Sequence, residues 1–236
     1  MVNEQFERNI ALIGEEAQKK LRTFRVALFG VGGVGSYVAE ALARAGVGQI
    51  DLTDKDRVCP SNLNRQIIAL HSTLGKLKVD AAKERILDIC PDTRVETHAV
   101  FFLPENADEF DFSVYDYVID AIDTVSGKIA IIEKAKASEV PVISCMGTAG
   151  KTDPLAFRIA DVSKSSVCPL ARVMRYELKK RGIKNVKVLF STEAPKKPSP
   201  SYEGEKPPLG TMPFVPSAAG LLIAREVIFD LLKKQH

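Results

Sequence analysis

Gly30-Val31-Gly32-Gly33-Val34-Gly35 follows the apolar run Val26 to Phe29 and precedes a helix pattern of small and apolar residues. Strand, glycine turn and helix start in that order can cradle phosphate. The glycines let the backbone turn tightly and approach a ligand, and the free N–H groups of the helix N-terminus point at bound phosphate. Asp54 ends the next strand-like stretch, Ile50 to Asp54, where a carboxylate can accept both ribose hydroxyls of a nucleotide. Taken alone, such glycines also occur as plain packing features. Asn62 and Arg65 lie in a long polar connection, Lys55 to Leu74, and loops of that length are usually functional or disordered. A guanidinium stays charged and grips phosphate oxygens as a fork. Asp123 follows the apolar stretch Tyr117 to Ile119, at the carboxyl end of its strand, where open α/β sheets bind ligands; it suits a magnesium ion shared with a triphosphate. Asp120 could do part of this work, and either acid could instead cap the helix beginning near Thr124.

Positioning these groups takes an α/β framework: a Rossmann-like, mainly parallel sheet with antiparallel C-terminal strands and an N-terminal helical arm. Phe6, Ile10, Ile13 and Ala17 are spaced for one face of a helix over residues 3 to 22. A helix from Lys76 stops before Cys90-Pro91, because proline cannot continue it. Strands are predicted at Arg94 to Val100, Asp116 to Asp120, Pro141 to Cys145, Leu155 to Asp161 and Lys187 to Ser191, with an acidic, irregular stretch at Phe101 to Phe112. Pro169 suits the first position of a helix bearing Leu170, Met174 and Leu178 on one face and Arg172, Arg175 and Lys179 on another. From Lys164 to Lys187 there are eight basic residues and one acid, Glu177. A solvated helix face is the ordinary meaning of such a run. Glu193 to Gly210 is rich in proline, lysine and serine, which predicts a mobile loop centred on residues 195–210. The last helix is expected from Ser217, after Pro216, to Lys233.

The 236 residues, 45% hydrophobic and 27% charged, suffice for a single α/β domain and exclude collagenous, coiled-coil and wholly disordered chains. The first twenty residues lack a signal-peptide core and no apolar run is long enough to span a bilayer, so a cytoplasmic location is expected. Cys59, Cys90, Cys145 and Cys168 form no C-x-x-C pair, which removes a zinc knuckle and a disulfide framework. A net charge of +3 implies nothing about nucleic acid by itself; only its concentration in residues 164–187 does.

Arg44-Ala45-Gly46-Val47-Gly48, Asp54-Lys55-Asp56-Arg57-Val58, Ser61-Asn62-Leu63-Asn64-Arg65-Gln66 and Gly75-Lys76-Leu77-Lys78 appear in that order. With the glycine turn, they resemble the ubiquitin-activating-enzyme-like ThiF/MoeB/HesA superfamily, whose bacterial members adenylate carboxylates. The resemblance implies ATP and Mg2+ as cofactors, with nucleotide contacts from Gly30, Gly32, Gly33, Gly35, Asp54, Asp56, Asn62, Arg65, Gln66, Lys78 and Asp123. It implies catalytic roles for Arg8, Asn62, Arg65, Lys78 and Asp123, with Asp123 on the metal. It also implies a homodimer in which Arg8, on the arm of one subunit, serves the nucleotide of the other. The implied organisation is one adenylating domain over 1–236: an arm at 1–24, a nucleotide-binding module at 25–150 and a substrate and dimer part at 151–236.

Superfamily members that activate sulfur carriers usually hold a structural zinc on two C-x-x-C pairs, which this chain lacks. Arg8-Asn9, Ser166-Val167-Cys168-Pro169-Leu170, the basic segment and Phe214-Val215-Pro216-Ser217-Ala218-Ala219-Gly220 look instead like the tRNA threonylcarbamoyladenosine dehydratase group. That likeness implies ATP-dependent cyclisation of threonylcarbamoyladenosine in tRNA through adenylation of its carboxylate. The alternative is an adenylyltransferase for the C-terminus of a ubiquitin-like sulfur carrier, and a sulfur-relay protein partner stays open. Cys168, just before a helix start, could be an activated thiol or an inert packing residue; the cyclisation itself needs none.

Overall fold

Alternation along the first strand divides the protein into two layers of core. In β1 (Arg25–Phe29), Val26 and Leu28 face one hydrophobic cluster while Ala27 and Phe29 face another, as the two-residue period of a strand requires. The structure, a computed structural model, describes residues 4–197 and 209–234. It continues through α3 (Gly35–Ala45), β2 (Gln49–Thr53), α4 (Lys78–Ile89), β3 (Arg94–His98), β4 (Tyr117–Asp120), α5 (Val125–Ala137), β5 (Val142–Cys145), β6 (Phe157–Asp161), α6 (Pro169–Lys180), β7 (Lys187–Ser191) and α7 (Phe214–Lys233). Two short helices, α1 (Glu7–Ile13) and α2 (Glu15–Leu21), precede β1. The seven strands are ordered β3-β2-β1-β4-β5-β7-β6. All neighbouring pairs are parallel except β6 with β7, so the antiparallel part is the single strand β6.

The chain runs outward from β1 through β2 to β3, then returns to lay β4 on the other side of β1. That reversal opens a crevice beyond the carboxyl ends of β1 and β4, where such sheets bind ligands. Two glycines make the crevice possible. Gly30 has φ +90 and a Cβ there would stand 2.7 Å from the carbonyl oxygen of Ala121; a Cβ on Gly35 would stand 1.8 Å from the carbonyl oxygen of Gly30. Without side chains at these points, the turn after β1 seats directly against the turn after β4.

Two helix expectations shift. The arm is not one helix: it breaks at Gly14, φ +86, although Phe6, Ile10, Ile13 and Ala17 keep a common apolar trend. The final helix begins at Phe214, not Ser217, and Pro216 lies inside its first turn, where a missing N–H leaves no helical bond unmade. The predicted loop 195–210 falls largely on residues 198–208, outside the described residues.

Candidate active site

Connections after the strand ends, with residues of the C-terminal part, meet in the crevice and enclose a cavity of about 730 Å³. From the turn after β1 come Gly30, Gly32, Gly33 and Val34, and from the connection after β2 come Asp54, Asp56, Asn62, Arg65 and Gln66. Lys78 enters from the first turn of α4, Asp123 from the turn after β4, and Met146 to Ala149 from the turn after β5. Gly35 is not on the wall. It lies beneath it, so its glycine is required by the close backbone approach and not by ligand contact.

Asp54 is braced before any ligand arrives. One carboxylate oxygen accepts from the Val31 N–H at 2.8 Å and the other from the Asp56 N–H at 2.8 Å. The first of these bonds ties the glycine turn to β2. Each oxygen keeps acceptor capacity for a hydroxyl, and the residue stays half-buried. The connection that follows is ordered by its own side chains. Asn62 is 6% exposed and its Oδ1 accepts from the Cys59 N–H at 3.2 Å, which turns the amide nitrogen away to serve as donor. Arg65 Nη1 donates to the Ser61 carbonyl at 2.6 Å and to Asn64 Oδ1 at 2.9 Å, which fixes one edge of the guanidinium and leaves the other for an anion.

Gln66 is 5% exposed and its Oε1 is buried without a hydrogen-bond partner. A buried amide oxygen left unmade is costly, so a donor from a ligand at this wall would relieve it. Beside it, a Cβ on Gly32 would meet only Gln66 Nε2, at 3.9 Å, so the glycine leaves a space at the cradle that a phosphate can fill. Lys78 is 6% exposed and its ammonium is held by Asp56 at 2.8 Å. The half-exposed Asp56 is its partner at the wall, and an ammonium N–H there can turn to donate to an incoming phosphate.

Burial distinguishes the two acids. Asp120 is fully buried in an ion pair with Lys128 and lies off the wall, whereas Asp123 is exposed and on it. Neither caps α5, whose N-cap Thr124 shows no side-chain capping bond; Asp120 Oδ1 instead accepts from the Ile122 N–H at 3.2 Å. Among the described residues no group of three or more His, Cys, Asp or Glu side chains could hold a metal. One carboxylate with phosphate oxygens and water matches magnesium, which keeps much of its hydration and seldom sits in an all-protein cage.

Sequence reasoning missed an apolar wall. Val100, Phe101, Phe102 and Ile122 line the cavity, and Lys55 Nζ stands 4.0 Å from the Phe101 ring centroid. These surfaces suit a flat, apolar group. Their sequence signal was the Phe101-Phe102 pair within acidic residues, which follows neither helix nor strand period. Thr148, Leu170, Thr211 and Pro216 were missed as well; they reach the cavity from the C-terminal third through β5, α6 and α7.

Arg8, which the family likeness implies as catalytic, and Cys168, whose role the sequence left open, are not on the cavity wall. Arg8 is exposed on α1, whose neighbour Asn9 donates to the Arg44 carbonyl at the C-terminal end of α3. The N-terminal end of α3 is the one that faces the cavity, and eleven residues of helix span about 16 Å. Arg8 is not on the wall of the cavity of its own chain. Cys168 is 2% exposed in the core cluster with Met146, Ala171 and Met174, an environment of packing. Cys145, on the wall, has its thiol pushed up to about 12 by burial, which keeps it protonated and unreactive at neutral pH.

Of the basic residues in 164–187, Arg175 donates to Ser165, Arg181 pairs with Glu177 and Glu133, and Lys187 pairs with Glu226 and Asp230. Lys164, Arg172, Lys179, Lys180 and Lys184 remain exposed. They lie along and beyond α6, which begins at the cavity with Leu170.

The model of the ThiF family matches residues 6–236. A protein of Bacillus subtilis named tRNA threonylcarbamoyladenosine dehydratase is 46% identical over 241 residues, covering 97% of this chain and 95% of its own length. The structure of E. coli tRNA N6-threonylcarbamoyladenosine dehydratase in complex with ATP superposes with a TM-score of 0.89 at 33% identity, covering 98% of this chain and 97% of that one. The same E. coli protein in complex with AMP gives a TM-score of 0.89 at 33% identity, with the same coverage.

Proposed function

Because the chain belongs to the ThiF family, we propose that it is an ATP-using enzyme that dehydrates threonylcarbamoyladenosine in tRNA to its cyclic form. The observation that carries this reading is the convergence of the glycine turn, Asp54, Asn62, Arg65, Gln66, Lys78 and Asp123 on one cavity. Its wall carries the carboxylates Asp54, Asp56 and Asp123 together with the cations Lys55, Arg65 and Lys78.

In this reaction a carboxylate oxygen of the modified base attacks the α-phosphorus of ATP and pyrophosphate leaves. A neighbouring urea atom then attacks the acyl carbon and expels AMP, which carries away the carboxylate oxygen, so the base loses one water overall. Nucleophile and electrophile are already tethered, and proximity supplies much of the acceleration without a protein thiol. The burial of Cys168 supports that route. Asp54 orients the ribose. Asn62, Arg65 and Lys78 supply fixed donors where charge develops on the α-phosphate and the leaving pyrophosphate, the task that preorganised donors do best. Asp123 would hold magnesium, which when bound neutralises triphosphate charge.

Residues 25–150 hold the nucleotide in this reading and residues 151–236 present the substrate. The exposed cations Lys164, Arg172, Lys179, Lys180 and Lys184 support a tRNA held by its backbone. Arg8 would act from a second copy in a homodimer, and its absence from the wall of its own cavity supports that arrangement.

The test is ATP consumption with tRNA bearing the linear threonylcarbamoyl group, with unmodified tRNA as control and mass analysis of the nucleosides. The expected result is AMP and pyrophosphate release together with loss of one water from the modified base. Absence of turnover with both tRNAs would remove the reading, and small sulfur-carrier proteins would be assayed next.

A further inference from the structure

Beneath the cavity lies a charged network that none of the steps above uses. Lys128, in the first turn of α5, is 0% exposed, and so is Asp120 at the end of β4. The lysine ammonium donates to Asp120 Oδ1 at 3.1 Å, to the Ile122 carbonyl at 2.9 Å and to the Cys145 carbonyl at 2.7 Å. All three of its protons are thereby placed. Asp120 in turn accepts from the hydroxyl of buried Ser144, on β5, and from the Ile122 N–H.

The two carbonyls are the informative contacts. The Ile122 carbonyl belongs to the peptide that joins Ile122 to Asp123, and the Cys145 carbonyl to the peptide that opens the wall Met146 to Ala149. One buried cation thus clamps the turn after β4 to the turn after β5, at the points where both enter the cavity.

Stability alone is a poor reason for such a group. Buried ion pairs contribute little net stability compared with well-packed apolar residues of the same volume, and they are retained where a unique arrangement matters. From full burial, Lys128 fixes the rotation of the Ile122–Asp123 peptide, and hence the direction in which the Asp123 carboxylate projects. We infer that Lys128, with Asp120 and Ser144, is the positioning device that aims Asp123 at a metal–triphosphate, an inference that rests on the nucleotide-binding part of the proposed function.

The test compares ATP affinity by calorimetry for wild type, Lys128→Met and the double variant Asp120→Asn/Lys128→Met, each in EDTA and in millimolar magnesium. The double variant keeps the volume without stranding a buried carboxylate, so it carries the comparison if the single variant does not fold. Both should bind ATP in EDTA as wild type does, through Asp54, Asn62, Arg65 and Lys78. In magnesium both should lose roughly 10- to 100-fold in affinity, the usual cost of removing a group that orients a metal ligand. Equal losses in both conditions would overturn the inference in favour of general support of the cavity. Unchanged affinity in both conditions, or failure of both variants to fold, would overturn it as well. Wild-type protein that binds ATP with magnesium yet forms no AMP with modified tRNA would sink the dehydratase reading and leave the Lys128 result standing.

Discussion

Arg65 and Cys168 mark opposite ends of what a single residue contributes here. Arg65 has one guanidinium edge tied to Ser61 and Asn64 and the other toward the cavity, so it enters the reaction already oriented. Arg65→Ala should lower kcat with modified tRNA by about 10²- to 10³-fold, the range found when one preorganised donor is removed, while ATP affinity falls far less. Steady-state kinetics beside nucleotide binding checks the split. Cys168 should behave in the other way. Cys168→Ala should keep turnover and lose about 1 kcal/mol of stability from the small void it leaves. In native protein a neutral-pH alkylating agent should label exposed Cys59 and spare Cys90, Cys145 and Cys168, all three being buried. Intact-mass analysis of the labelled protein reads this directly, and rapid native labelling at Cys168 would reopen a thioester route. At this scale Asp54, Asn62 and Arg65 were named from type and position and Lys78 through the family likeness, and the fold brings all four to one cavity wall. Asp123 was preferred to Asp120 through the family likeness; residue type does not separate them, because they differ in burial, and burial here depends on Lys128 arriving from the next helix.

Between elements, α7 approaches α3 closely. A Cβ on Gly220 would stand 2.5 Å from the Val34 carbonyl oxygen and 2.8 Å from the Tyr37 Cβ. Those neighbours are backbone and a side-chain root, which cannot rotate aside. Gly220→Ala should therefore destabilise the protein by about 1–3 kcal/mol, as overpacking in tight cores does. It should also weaken nucleotide binding, because Val34 and Pro216 both line the cavity. A urea melt and an ATP titration on the same sample would show whether the two effects travel together. A second junction binds α3 to α4. Burial by itself would raise Glu40, but hydrogen bonds from Arg85 and Arg44 outweigh it and hold the carboxyl below the usual range. A depressed carboxylate contributes stability above the unfolded value, about 4.3 for glutamate, and loses it as pH falls through the folded value. Glu40→Gln should consequently lower the urea midpoint at pH 7 and flatten its decline on the acid side. These contacts were not legible in the sequence. Periodicity located the helices, but Gly220 read as one small residue among several, and Pro216 as a helix boundary although it sits where proline costs nothing. Gly14 was passed over for the converse reason: the apolar face continues across it, and only its φ of +86 separates the two arm helices.

At the scale of the whole molecule, the sheet order fixes which groups one chain can bring together. The reversal at β1 and β4 gathers the strand-end loops on one edge, and everything that lines the cavity follows from that topology. The arm is fastened elsewhere. Gln5 donates to the Ile89 carbonyl, Asn9 to the Arg44 carbonyl and Gln18 to the Ala45 carbonyl, all at the C-terminal ends of α3 and α4. The N-terminal ends of the same helices carry Gly35 and Lys78, toward the cavity. The sequence had suggested Arg8 only through family likeness; in the fold Arg8 is absent from the wall of its own cavity, and the proposed phosphate role would be exercised on another copy. That makes a complementation experiment decisive. Arg8→Ala removes the arm's cation but leaves the cavity whole, and Lys78→Ala damages the cavity but leaves the arm whole. Co-expressed with separate tags in equal amounts, they should form half mixed dimers, each with one intact cavity served by one intact arm. Activity should recover to about a quarter of the wild-type value per site, whereas each variant alone stays low. If Arg8 worked within its own chain, or had no role, mixing would yield only the average of the two single variants. Isolating the doubly tagged species before assay removes the homodimers, and its activity should then approach half of wild type per dimer.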